Sequence, residues 1–405
     1  MRAALAVAAL TPALFACGEP PEPAVPPEAT ARALPRALWV LAEGSQRVLE
    51  HPERVPSLLE DARLLGASDL FVQVYRGGRA WFDSRHADAA PFRAARAAAG
   101  SDPLADLLRR AHAAGLRVHA WVNVLSLARN REAPLLRSLG PDAVLMDRYG
   151  RSLLDYPDLE IPEPHGRYYR MGTRGVYLDP AARGLADLLA ETFAELLERY
   201  PELDGLHLDY IRYPDVLPFV PGSRFGVGLD FGYGQETRAR FRRETGLDAP
   251  TGDATGNADR WDAWRREKLT ELVAHIAERA RATRPGIALS AAVWAYADRS
   301  YLALGQDWRG WLEEGLLDFA VPMAYTRDDR LFRYQAEAFA NIPGSARIWI
   351  GMGTWLFAGQ PERALAQIRL ARTAGVAGEA LFSYDSIASA PALREALIAE
   401  VQRER

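Results

Sequence analysis

The chain has 405 residues, a formal net charge of −4 and an apolar fraction of 49%, which suits one large domain or two ordinary ones around a sizeable core. Lys268 is its only lysine, the arginines are spread along the whole length, and no basic stripe stands out against the acidic residues, which argues against nucleic acid as a partner. The seven histidines show no His-x-x-x-His pair or carboxylate cluster at ligand spacing, so neither a metal nor a cofactor is expected, and serine chemistry lacks a Gly-x-Ser-x-Gly elbow.

In chain order, the first element is a leader. Arg2 precedes an apolar stretch from Ala3 to Leu14 that is too short to span a bilayer and has the layout of an export signal. It runs into Leu14-Phe15-Ala16-Cys17, and a lone cysteine cannot form an internal disulfide. Its setting, Ala16 before and Gly18 after, resembles a bacterial lipobox, in which the cysteine is lipidated and becomes the first residue of the mature protein. An incidental cysteine in an ordinary signal peptide is the plainer alternative. Residues 17–36 are Pro- and Glu-rich and read as an extended tether. The expected organisation is a leader over 1–16, a tether over 17–36 and a folded domain over 37–400, exported and held in the cell envelope by lipid on Cys17. Oligomeric state is not legible.

Beyond the tether, short apolar runs alternate with amphipathic helical stretches. Eight runs read as strands: Ala37–Glu43, Asp69–Tyr75, Arg117–Leu125, Gly205–Ile211, Ile287–Trp294, Asp318–Tyr325, Arg347–Gly353 and Glu379–Tyr384. Helices are expected after Asp102-Pro103, after Asp179-Pro180 and from Trp261 onward, while Ala87–Gly100 reads as a loop. Eight alternating units argue for a parallel sheet closed into a (β/α)8 TIM barrel, a single domain with long βα loops. A doubly wound open sheet would carry a Gly-rich phosphate turn after the first strand, which Glu43-Gly44-Ser45 does not supply. Two connections, Ser126 to Val176 and Asp215 to about Asp259, are too long for plain loops and are expected to shape a cleft at the barrel mouth.

The stretch Gly205-Leu206-His207-Leu208-Asp209-Tyr210-Ile211-Arg212-Tyr213 is the most informative. Strand side chains alternate, so leucines facing the helices send His207 and Asp209 into the barrel, with Tyr210, Arg212 and Tyr213 following on the rim. The same phase puts Trp121 and Asn123 inward on the third strand. On the second, Gln73 and Tyr75 face in and Arg76 follows. A single inward histidine is more often a satisfied core residue, but three strands in phase point to a site.

On these residues the chain resembles the glycosyl-hydrolase-like 10 family of bacterial glycosidase-like proteins, over roughly Arg36 to Asp385. The markers are Phe71-Val72-Gln73-Val74, His119-Ala120-Trp121-Val122-Asn123, Asp204-Gly205-Leu206-His207-Leu208-Asp209-Tyr210, Pro322-Met323-Ala324-Tyr325, Asp102-Pro103-Leu104 and Gln306-Asp307-Trp308. The resemblance implies a (β/α)8 fold and hydrolysis of glycans, in some members peptidoglycan strands degraded by lipoproteins. Two departures stand out. Asp209-Tyr210 stands where many members carry paired acids, and Val124-Leu125 replaces a proline-containing turn.

Glycoside hydrolysis generally needs two carboxyl groups, one protonating the leaving oxygen and one acting as nucleophile, base or charge stabiliser. Asp209 is the candidate for the second role, with His207 helping to orient it. The strand-four pattern looks like that of amylase-type barrels and equally like the chitinase type, except that Ile211 stands where the latter has a glutamate acid. The first-ranked acid is Asp307, beside Trp294, although the same position fits a helix N-cap ahead of Trp308. Asp298, Asp328, Asp385 and Glu43 are further candidates. Trp121, Trp294, Tyr325 and Trp355 are expected to line sugar subsites, since some of the ten Trp and fifteen Tyr can serve as stacking platforms. The expected activity is hydrolysis of an envelope polysaccharide. The rival is a glycan-binding lipoprotein on a degenerate barrel.

Overall fold

A computed structural model describes residues 34–218 and 229–404. The leader, Cys17 and nearly all of the tether lie outside the described residues.

Eight parallel strands close on themselves: β1 (Arg36–Val40), β2 (Asp69–Arg76), β3 (Arg117–Asn123), β4 (Gly205–Asp209), β5 (Ala288–Trp294), β6 (Phe319–Met323), β7 (Trp349–Gly353) and β8 (Gly378–Phe382). β1 pairs with both β2 and β8, which completes the (β/α)8 barrel. All eight expected strands are present, five of them ending before the apolar run does. Arg36, assigned to the tether by sequence, is instead the first residue of β1. Its guanidinium is buried at 2.6 Å from Glu379 of β8.

The barrel interior is filled in interlocking layers. Trp39, Phe71, Trp121 and Trp349 meet there, with Phe319 and Trp349 stacked at 4.5 Å. Glycines make room for the large rings. A Cβ on Gly378 would come within 2.5 Å of the Trp349 ring, and one on Gly205 within 2.0 Å of the His119 imidazole. The alternate residues, such as Leu206 and Leu208 of β4, pack outward against the helices.

Two helix expectations need correction. Ala87–Gly100 is not a loop, because Ala90–Ala99 is helical. Pro91 occupies its first turn, Phe92 and Ala95 are buried, and Gly100 ends it at a φ of 70°. Asp179 does not start the following helix, which runs Leu185–Arg199. Its buried carboxylate instead accepts hydrogen bonds from Thr237 Oγ1 at 2.7 Å and from the Ala181 N–H at 2.9 Å.

The two long excursions form one wall of the mouth. Ser126–Ala128 pairs antiparallel with Val176–Tyr177, which closes the first excursion on itself. Tyr169–Met171 then pairs antiparallel with Val216–Pro218, which ties the first excursion to the second.

Candidate active site

An open cavity of about 560 Å³ sits at the C-terminal ends of the strands, where barrels of this class place their chemistry. Of the residues singled out from sequence, Gln73, Arg76, Trp121, Asn123, Asp209, Tyr210, Arg212, Trp294, Tyr325 and Trp355 line it. They come from β2, β3, β4, β5 and the turns after β4, β6 and β7, so the alternation argument brings distant segments to one place.

Asp209 ends β4 and is 6% exposed. The Trp121 Nε1–H donates to its Oδ2 at 3.1 Å, and the Tyr210 backbone N–H donates to Oδ1 at 2.6 Å. Tyr210 takes a left-handed backbone conformation, φ 54°, that starts the turn out of the strand. Arg212 lies 4.0 Å from the carboxylate, its guanidinium over the Tyr210 ring at 4.4 Å. Burial pushes the Asp209 carboxyl above the usual aspartate range, and Arg212 with the two N–H donors pulls back only part of that shift. At the cavity edge Trp355 is 48% exposed and Tyr296 45%, so both present bare ring faces to solvent.

Four sequence expectations land elsewhere. Tyr75 faces the helix layer, edge-on to Phe193 with ring centres 5.5 Å apart. The cause is a bulge: Gln73 pairs with Trp121, but Tyr75 rather than Val74 pairs with Val122. The extra residue flips the phase and sends Arg76 into the mouth in place of Tyr75.

His207 points inward but lies one layer below the cavity and does not touch Asp209. The Trp39 Nε1–H donates to its Nε2 at 3.1 Å, so the imidazole carries its proton on Nδ1 and donates it to Ser290 Oγ at 2.8 Å. Burial holds its pKa well below the usual histidine range, so the ring stays neutral and props up Trp39, a cavity-lining residue.

Tyr213 is buried behind the wall, under the Arg265 guanidinium at 5.0 Å. Asp307 lies outside the cavity, in a separate depression with Asp298 and Tyr301. Its Oδ1 accepts the Gly310 N–H at 3.1 Å and caps the helix Trp308–Glu313. Its neighbour Gln306 borders the same depression and is buried: its Oε1 accepts the Trp294 N–H at 2.9 Å and its Nε2 donates to the Ile211 carbonyl at 3.3 Å, joining the ends of β4 and β5.

None of the remaining acid candidates lines the cavity. Asp298 stands in the same depression as Asp307, and Asp328 caps the helix Asp329–Asn341. Asp385 accepts the Leu41 and Gln46 backbone N–H groups at 3.1 and 2.8 Å, and Glu43 is paired with Arg76 at 3.2 Å and with Arg79. Among the described residues no group of three His, Cys, Asp or Glu side chains could hold a metal ion.

Sequence reasoning missed Trp39, Tyr296, Arg129 and Arg174 as lining residues. Trp39 was findable, since it lies inward on β1 in step with Phe71 and Trp121. The two arginines reach the mouth only through the pairing of Ser126–Ala128 with Val176–Tyr177, which no local pattern announces.

Comparison with known proteins is consistent with this geometry. The chain is 26% identical over 328 residues to the glycosyl hydrolase DigH of Escherichia coli K12, covering 75% of this chain and 66% of that protein. With the glycosyl hydrolase YngK of Bacillus subtilis the identity is 24% over 316 residues, 72% of this chain and 54% of the relative. The chain thus spans two thirds or less of the length of these relatives. Among solved structures, the PgaB (BpsB) glycoside hydrolase domain of Bordetella bronchiseptica superposes with a TM-score of 0.63 at 16% identity, covering 90% of this chain and 99% of that one. The β-amylase catalytic domain of Paenibacillus polymyxa gives 0.55 at 13%, covering 90% and 98%. These structures share the fold. The family model described as glycosyl hydrolase-like 10 matches residues 35–366, and the chain belongs to that family.

Proposed function

We propose that the chain hydrolyses O-glycosidic bonds of a cell-envelope polysaccharide, with peptidoglycan glycan strands the first substrate to test. The observation that carries this reading is Asp209: a desolvated carboxylate at the end of β4, open to a cavity edged by the exposed rings of Tyr296 and Trp355. Aromatic faces of this kind stack on sugar rings. Both carboxylate oxygens accept an N–H donor and Arg212 stands close by, an arrangement that serves the ionised form. Asp209 therefore acts as nucleophile, base or charge stabiliser for a cationic, oxocarbenium-like transition state. Incubation with purified cell-wall glycan should release new reducing ends with the wild-type chain and almost none with Asp209→Asn.

One observation favours a second reading, non-hydrolytic glycan binding: among the described residues no other carboxylate lines the cavity. Glycan retained by the wild-type chain without new reducing ends would establish it.

The place of action proposed is the envelope side of a membrane, after export and acylation of Cys17. The support is the short apolar leader, the lone cysteine between Ala16 and Gly18, and the Pro-rich stretch that follows. A fatty-acid analogue should label the wild-type chain, while Cys17→Ser should be unlabelled and released into the soluble envelope fraction. An unlabelled wild-type chain would leave only an ordinary export signal.

A further inference from the structure

Two neutral side chains in the mouth are tied in series to the backbone. Gln73 of β2 and Asn123 of β3 line the cavity and are 2% and 4% exposed. The Ala42 backbone N–H, just past β1, meets one end of the Gln73 amide at 3.3 Å, and the other end meets the Asn123 amide at 3.2 Å. A backbone N–H only donates, so the Gln73 atom facing Ala42 is Oε1. Its Nε2 therefore faces Asn123 and donates to Oδ1, which turns the Asn123 Nδ2 away from Gln73.

That Nδ2 has no hydrogen-bond partner among the described residues and is open to the cavity. Asn123 is the register partner of Asp209 between β3 and β4, so its amide stands beside the carboxylate. The two do not bond, because the Asp209 oxygens accept from Trp121 and Tyr210 instead. Gln73 differs from Asn123 in having both ends of its amide committed to protein.

We propose that Asn123 Nδ2 donates a hydrogen bond to an oxygen of the sugar held at Asp209, and that Gln73 is a positioning residue that fixes the sense of that amide. This rests on the glycan reading of the site. A free amide can turn over and offer either a donor or an acceptor. Here the Ala42 N–H, acting through Gln73, selects the donor. The sugar must then supply an acceptor oxygen at this point, and hydrogen bonds beside the reacting carbon strengthen in the transition state.

The test is release of reducing ends from purified cell-wall glycan by the full-length chain, normalised to folded protein by circular dichroism. Rates are compared on the alkaline plateau, where Asp209 and any introduced carboxyl are ionised. Gln73→Glu reverses the relay: its carboxylate accepts from Ala42 and Asn123 alike, so Asn123 must present Oδ1 to the cavity. kcat/KM should fall roughly tenfold or more. The added negative charge does not explain such a loss, since by itself it favours a cationic transition state. Gln73→Met frees the Asn123 amide to take either sense and should cost only a few-fold. Asn123→Asp keeps the acceptor for Gln73 but loses the donor, and should match Gln73→Glu. A strut would be served by the carboxylate, so Gln73→Glu retaining as much kcat/KM as Gln73→Met overturns the proposal. Asn123→Asp at the wild-type kcat/KM overturns it too, and both results leave the glycan reading intact. A wild-type chain that releases no reducing ends overturns the hydrolytic reading and this assignment with it.

Discussion

His207 and Asp209 stand two residues apart on β4 and face the same way, yet they live in opposite environments. His207 lies in the closed floor, stacked on Phe71 at 4.1 Å, with each ring nitrogen committed to one partner. Asp209 lies one layer higher, with its carboxylate at the edge of open space. One step of about 6–7 Å along a strand separates a structural polar residue from a chemical one. Inward direction therefore selects candidates, and the layer decides among them.

The largest effect should come from Asp209→Asn. Turnover on glycan should fall by several powers of ten, on the order of 4 kcal/mol in the barrier, while the fold persists. Stability should move the other way. The folded-state pKa of Asp209 is raised, so its contribution to stability is present at low pH and is lost as the pH rises through that raised value. The melting temperature of the wild type should therefore fall relative to Asp209→Asn across that interval, while wild-type activity climbs as the carboxyl ionises. Parallel melting curves at every pH would show that Asp209 titrates as it does in the unfolded chain.

His207→Ala should reverse the pattern. It removes a buried ring and leaves the Trp39 N–H and the Ser290 hydroxyl unmet, at about 2–4 kcal/mol of stability in denaturant titration. Turnover of the folded fraction should drop far less than for Asp209→Asn. A loss of turnover as deep as that of Asp209→Asn would move His207 into the chemistry and erase the contrast between layers.

The smallest effect belongs to Asp307→Ala. As a helix cap it should cost about 1 kcal/mol of stability. Rates on natural glycan and on an activated aryl glycoside should be lowered alike. A selective loss on natural glycan, whose leaving oxygen needs a proton, would return Asp307 to the role of acid.

The fold was legible because its signals are local and repeated: eight apolar runs, each at strand length, separated by helical spacing. The mouth was legible where alternation holds, which placed Trp121, Asn123 and Asp209 inward. It failed where geometry departs from a regular strand. The β2 bulge exchanged Tyr75 for Arg76, and nothing in Gln73-Val74-Tyr75 betrays an inserted residue. Asp307 shows a different limit. Its two readings, cap and acid, use the same residue type at the same place, and only the position of the Gly310 N–H separates them. Ala90–Ala99 was missed because only Phe92 among its ten residues is strongly apolar, although Pro91 and Gly100 mark its ends.

The strand-to-strand tie between Tyr169–Met171 and Val216–Pro218 has a consequence for inheritance and for engineering. Arg174 belongs to the first of two excursions that are laced together and Arg212 stands just ahead of the second, so neither segment can be exchanged for that of a relative without stranding the other's backbone hydrogen bonds. Specificity carried by this wall should pass between proteins as a matched pair of segments. A graft of one alone should cost order at the rim before it changes which sugar is chosen.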